Sequence, residues 1–389
     1  MAIGSAFLKD ARIVIIGAGA LGSVLSYRLS QAGASVTVVE RHYPGWGTTG
    51  NTFAWLNSFG KTPRDYHRLN ARSIRDHLDL MRELDGDWAH FDGGLYWEHA
   101  ANEAKTQKLQ ETVKRLREWG YRVETLTPDQ VMRELEPDIV IDQSQVEEIA
   151  YAPNEGWLNG VGLCAGALGA ARRRYGARFI TGEVIGFGGP EGTIDSVRLA
   201  GGEVLHCDAV INATGPSAAR VADLAGVELP ITRQPGFLIV TEPAPVNIKR
   251  VIHSPETWVH ADGGGRLLLH REDYDAHGES EIKPPITDPF CEKAVRNAEE
   301  LIPGLHGVHA EGVRLGVRPM PKDGHPIVGF DPEVAGLYHI VMHSGVTLSA
   351  VMGTLVTEDF MGQDPPELAP YRIERFSDPS KLTFSSTHE

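Results

Sequence analysis

Apolar residues from Ile13 to Ile16 form an unbroken run that ends in Gly17-Ala-Gly19-Ala-Leu-Gly22. Helically spaced apolar positions continue to Gln31, Gly33 breaks them, and a second apolar run, Val36 to Val39, ends on Glu40. A short continuous apolar run bounded by turn residues is the pattern of a buried strand, and a helical period that of a helix packed on one face. The stretch therefore predicts strand, glycine turn, helix, strand, acid. Helical spacing recurs at Arg64 to Asp85, at Asn102 to Trp119 and, after a Pro-Asn-Glu-Gly turn, within Tyr151 to Gly176. Thr127-Pro-Asp-Gln130 predicts a helix start, with Thr as N-cap, Pro at the first helical position and Gln three residues on. Ala177 to Thr181, Ile194 to Leu199 and Glu203 to Cys207 read as short strands, and Ala209 to Gly226 as a buried strand passing through Thr214-Gly215 into a helix.

From Ile231 to Arg318 the pattern changes. Phe237 to Glu242, Thr257 to Ala261, Leu267 to Arg271 and Gly312 to Arg318 predict strands of a more antiparallel kind, interrupted by a helix at Asp288 to Ile302. Gly336 to Thr357 then returns to strand, glycine turn, helix. The expected fold class is α/β: a discontinuous Rossmann-like nucleotide domain (1–85, 145–228 and 318–389) with a β-rich antiparallel substrate or cap domain (86–144 and 229–317). There is no internal repeat and no low-complexity tract.

Each part of the first unit has a physical task. Gly17 permits a tight turn, Gly19 lets a pyrophosphate approach the backbone, and Gly22 lets the helix pack close to the sheet. The helix N-terminus offers free N–H groups and a partial positive charge to phosphates. Glu40 would accept hydrogen bonds from a ribose hydroxyl. The following stretch, Pro44 to Asn57, is rich in Gly and Thr and reads either as a surface loop or as a second set of contacts to the nucleotide.

Bulk properties narrow the partners. At 389 residues the chain can form two lobes with sizeable cores. A net charge of −15, spread along the chain, argues against nucleic acid. Cys164, Cys207 and Cys291 lie far apart and read as buried thiols in a reducing compartment, so a cytoplasmic location is expected. The N-terminal stretch lacks the basic and apolar regions of a secretory signal. The longest charge-free run, Gly336 to Thr357, contains His339, His343, Ser344, Gly345 and Gly353 and makes a poor membrane span. His306 and His309 lack further ligands nearby, so no metal is expected.

Four motifs stand in order: the glycine unit, Asn212-Ala-Thr-Gly215, Gly316-Val-Arg318-Pro-Met-Pro-Lys-Asp-Gly324-His-Pro-Ile-Val-Gly329, and Gly336-Leu-Tyr-His-Ile-Val-Met-His343-Ser-Gly345-Val-Thr-Leu348. Together they resemble the D-amino acid oxidase (DAO) family of FAD-dependent oxidoreductases, which includes glycine oxidase, sarcosine oxidase and D-amino acid dehydrogenase. The resemblance implies FAD along the first domain. Gly17, Gly19, Ala20, Leu21, Gly22, Glu40 and Arg41 would hold its ADP half, and Gly47, Thr48, Thr49, Asn51 and Thr52 would run under the pyrophosphate toward the flavin. Val184 would meet the adenine edge, and Thr214 and Gly215 would close the adenosine side. Gly345, Val346, Thr347 and Leu348 would put backbone N–H groups near the flavin's pyrimidine end. Relatives with covalent flavin carry a cysteine just before the third motif. Here Arg314-Leu-Gly-Val stands there, so the resemblance implies non-covalent FAD. A lysine that helps reduced flavin meet oxygen in sarcosine oxidase-like relatives has no counterpart in Gly263 to His270, leaving the acceptor open between oxygen and another molecule.

The implied reaction removes a hydride from the Cα–N bond of an amino acid or secondary amine, and the imine then hydrolyses. A neutral amine needs no strong base for this. Arg318 and His343 are the catalytic candidates. Arg318 would grip a carboxylate through two parallel hydrogen bonds, as the family's arginine in this motif does, or would pair with a buried acid at the domain boundary. His343 would contact flavin or substrate, or would be a satisfied core residue. Trp55, Tyr274 and His270 are pocket walls or core. Rival readings are a 2-hydroxy acid dehydrogenase, a nicotinamide enzyme using the same glycine fingerprint, and a flavin-carrying subunit of a larger complex. Substrate side chain, stereochemistry and oligomeric state stay open.

Overall fold

A computed structural model describes residues 8–275 and 281–377. The outermost parts of the expected first domain, 1–7 and 378–389, and residues 276–280 of the expected second domain lie outside the described residues.

The first lobe is built in chain order from β1 (Arg12–Ile16), α1 (Ala20–Gln31), β2 (Ser35–Glu40), α2 (Arg64–Glu83), α3 (Gly160–Tyr175), β3 (Arg178–Thr181), β4 (Ala209–Asn212), β5 (Ile327–Phe330), β6 (Leu337–Val341) and α4 (Gly345–Phe360). Its sheet runs β5-β6-β4-β1-β2-β3, with β5 antiparallel to β6 and the other neighbours parallel. β1 lies in the middle, Ile13 opposite Val36 on one side and Ala209 on the other. Both faces are covered: Ile13 and Ile15 belong to one core cluster, Val14 and Ile16 to another. That is why β1 reads as a continuous apolar run. α1 and α4 pack closely, because a Cβ on Gly353 would come within 2.7 Å of the Val24 Cγ1.

The second sheet has eight strands among the described residues, in the order Ala310–Pro321, Ile231–Thr241, Arg266–His270, Trp258–Gly263, Val251–His253, Gly94–Tyr96, Ile149–Ala152, Glu124–Leu126. All neighbours are antiparallel except Val251–His253 and Gly94–Tyr96. The strand Ile149–Ala152 thus belongs to this sheet, although it falls in the stretch 145–228 that the sequence attaches to the first domain. The helix Pro289–Leu301 covers one face, with Asp288 as N-cap accepting from the Phe290 N–H at 3.1 Å.

Two strands are longer than their apolar patterns predict. Ile231–Thr241 and Ala310–Pro321 pair along their whole length, from Ile231 opposite Pro321 to Thr241 opposite Ala310. The extension of the first carries Arg233 and Gln234, side chains that alternation does not flag as strand, opposite Pro319 and Arg318 of the second. The paired strands reach back to the first lobe: a Cβ on Gly316 would stand 2.5 Å from the Asn51 carbonyl oxygen.

Candidate active site

One cavity of about 930 Å³ opens between the carboxyl ends of β1, β2 and β4 and the near face of the second sheet. In an open α/β sheet this is where ligands bind. At one end it is lined by Gly17, Glu40, Glu183, Val184 and Thr214, and at the other by Trp55, Lys61, Trp258, His270, Arg318 and His343.

The first of these ends follows from the glycine turn. Gly17 has φ +101°, and a Cβ there would lie 2.6 Å from the Ala213 carbonyl oxygen, so only glycine lets β1 and the turn after β4 meet. Gly22 serves packing: its Cβ would be 2.0 Å from the Gly17 carbonyl oxygen. α1 starts at Gly19, which has no side-chain cap of its own. Thr49 Oγ1 instead accepts from the Ala20 N–H at 3.1 Å. The Glu40 carboxylate is held by the Ala18 and His42 N–H groups, each at 3.0 Å. The Gly47 to Thr52 loop is braced by Asn51, which donates to the Gly47 carbonyl at 2.9 Å, and by the Thr48 hydroxyl, which donates to the Val317 carbonyl. Thr214 is fixed by its bond to Asn212 Oδ1 at 2.7 Å.

The other end is organised by α4. Ser344 is its N-cap and makes no capping bond through its side chain. Its Oγ accepts from Tyr66 OH at 3.0 Å and from Lys61 Nζ at 3.3 Å. His77, fully buried on α2, donates from Nε2 to the Val346 and Thr347 carbonyls at 3.0 and 3.1 Å, and burial pushes its pKa down to about 4. Thr347 Oγ1 donates to the Trp55 carbonyl at 2.7 Å. The wall facing α4 is aromatic: Trp55 stacks on Tyr96 with ring centroids 5.4 Å apart, and Trp258 abuts His270 at 4.9 Å.

Of the expected site residues, Gly17, Gly19, Ala20, Leu21, Glu40, Arg41, Gly47, Thr48, Thr49, Asn51, Thr52, Val184, Thr214, Gly215, Gly345, Val346 and Thr347 all line this one cavity, with Arg318 and His343. Gly22 and Leu348 are buried behind its wall. Trp55 and His270 line it, whereas Tyr274 packs on Phe290 inside the second sheet's core. Arg318 is ion-paired: Nη2 lies 2.5 Å from Asp275 Oδ2 and 3.1 Å from the Pro235 carbonyl, while its Nε and Asp275 Oδ1 are buried and have no hydrogen-bond partner among the described residues. Sequence reasoning passed over Lys61, Asp275 and Glu155. Glu155 is buried and accepts from the Ser58 and Phe59 N–H groups, each at 2.7 Å, from Tyr121 OH at 2.8 Å and from Tyr96 OH, so it anchors the loop that carries Lys61. The Pro-Asn-Glu-Gly stretch signalled only a turn.

The residues present fit a dinucleotide: a glycine turn that a Cβ would fill, an acid fixed at the end of β2, and two helix N-termini facing one cavity. These features define a nucleotide-binding lobe facing a second, β-sheet lobe. Residues 12–359 match the family model described as DAO, FAD dependent oxidoreductase, and the chain belongs to that family. It is an FAD-dependent oxidoreductase. It is similar to the uncharacterized oxidoreductase YurR of Bacillus subtilis (strain 168), 26% identical over 92% of this chain and 97% of that one. Among solved structures it resembles L-proline dehydrogenase from P. horikoshii (TM-score 0.81, 21% identity, 95% and 99% of the two chains). It also resembles glycine oxidase from Geobacillus kaustophilus (TM-score 0.80, 21% identity, 94% and 99%). Among the described residues no helix is long and apolar enough to cross a membrane.

Proposed function

We propose that the enzyme oxidises the Cα–N bond of an amino acid or secondary amine, giving an imine that water hydrolyses. The observation that carries this reading is the continuity of the cavity: the nucleotide end and an aromatic-walled chamber holding Lys61, His343 and Arg318 are one space. The likeness to proteins named for proline and glycine oxidation supports the C–N bond as the target. Bound FAD supplies the hydride acceptor. Gly17, Gly19, Glu40, Thr48, Thr49 and Thr214 would hold its nucleotide portion, and the N–H groups of Gly345 to Thr347 its pyrimidine end. None of the three cysteines lines the cavity, which supports non-covalent attachment. All three are also unpaired and buried, in keeping with a cytoplasmic enzyme.

The protein's own work is to bind, orient and exclude water. Trp55, Phe53, Trp258 and Leu238 form an apolar wall against which a substrate carbon skeleton packs. Arg318 and Asp275 form a charge-balanced edge to the chamber, and His343 faces it from the turn before α4. Oxygen or another electron acceptor then takes the electrons.

Product analysis tests the proposal. Turnover with amino acids and N-alkyl amino acids releases ammonia or a free amine together with the oxo product. A protein that converts only 2-hydroxy acids, with no nitrogen released, overturns it.

A further inference from the structure

The cations on the cavity wall are not alike. Arg41 and Arg220 each lie near Glu183, at 3.8 and 3.1 Å. Arg233 pairs with Glu281 at 2.6 Å and Arg318 with Asp275 at 2.5 Å. Lys283 has no ion pair among the described residues and is exposed. Lys61 is half-buried, in the loop between Trp55–Leu56 and α2, and among the described residues it has no carboxylate within 4.0 Å. Its Nζ donates to Ser344 Oγ.

Glu155 is the acid that Lys61 feels, and that carboxylate is already engaged by two N–H groups and two tyrosine hydroxyls. A desolvated ammonium without a counter-charge in contact is costly, and burial lowers the Lys61 pKa below its ordinary value accordingly. An anion entering the chamber supplies the missing partner. At Arg318 the balance is the reverse. Its charge is met by Asp275, so a second carboxylate there would crowd two negative groups around one guanidinium. Ser344 accepts both of its bonds and keeps its own O–H for the same anion.

We propose that Lys61, rather than Arg318, anchors the substrate's carboxylate, with the Ser344 hydroxyl beside it. The inference rests on the reading of the chamber as an amino-acid site and names the group it grips.

The test uses the FAD-loaded enzyme and two probes of one shape, acetate and uncharged acetamide, titrated by calorimetry and by flavin absorption. Wild-type protein binds acetate more tightly than acetamide. Lys61→Met, with unchanged flavin content and circular dichroism, weakens acetate by about tenfold to a hundredfold, the scale of one charged hydrogen bond. Lys61→Arg restores most of it, and Lys61→Gln replaces the Met variant if that one misfolds. The double variant Arg318→Met/Asp275→Asn, which removes both charges together, keeps acetate binding within about threefold. Equal binding of acetate and acetamide, unchanged acetate affinity in Lys61→Met, or a loss in the double variant as large as in Lys61→Met each overturns the proposal. Failure to hold FAD would instead count against the cofactor's seat, and the calorimetric arm would still read Lys61.

Discussion

Acidification should loosen this protein at an identifiable place. His77 is fully buried on α2, its Nε2 committed to two carbonyls of α4 and its Nδ1 without a partner among the described residues. A second proton on this ring would be an uncompensated buried charge, so burial lowers its pKa from 6.5 to about 4. The unfolded chain binds that proton near the ordinary value, the folded chain only near pH 4. Between those pH values the unfolded state holds more protons, so stability falls as pH falls. The difference between the two values corresponds to about 3 kcal/mol, fully present above pH 6.5 and gone below about pH 4. His77→Gln keeps an amide donor for the two carbonyls and cannot titrate. Urea denaturation at successive pH values should therefore show a shallower decline for His77→Gln across this window. Flavin fluorescence should follow the same curve, because the carbonyls His77 holds belong to the first turn of α4. Part of the decline remains in the variant, since burial also lowers His253, to about 3. Parallel stability curves for the two proteins would refute the reasoning.

Other substitutions probe the remaining supports. Gly22→Ala places a methyl group 2.0 Å from the Gly17 carbonyl oxygen, and purified protein should lose most bound FAD, read from the ratio of visible to ultraviolet absorbance. Glu155→Leu leaves two N–H groups and two tyrosine hydroxyls unanswered and should cost roughly 3 kcal/mol or more by urea midpoint. Arg318→Ala alone strands the half-buried Asp275 carboxylate and should destabilise the fold by about 1–3 kcal/mol, whereas Arg318→Met/Asp275→Asn should recover most of that, measured by thermal denaturation.

The nucleotide unit was legible because each of its parts has a local cause. A strand buried on both faces must be apolar throughout, and the Gly17 turn must lack a Cβ against Ala213. The second sheet was legible only where apolar residues alternate. The extension that carries Arg233 and Gln234 is strand because it pairs with Pro319 and Arg318 opposite, a fact no single segment contains. Arg318 could be read as a carboxylate grip or as half of an ion pair, because its acid lies 43 residues away. Lys61 left no signal at all. Its significance is the lack of a counter-charge, which appears only once Glu155 is seen to be occupied by the backbone of the loop and by Tyr96 and Tyr121.

The central claim, oxidation at a C–N bond by FAD seated in the inter-sheet cavity, is tested most directly by bleaching of the bound flavin without oxygen. Amino acids and N-alkyl amino acids should be compared with 2-hydroxy acids of the same skeleton. The account expects loss of the visible flavin band with a compound of the nitrogen series and none with its hydroxy counterpart. Bleaching by the hydroxy acids alone would contradict it.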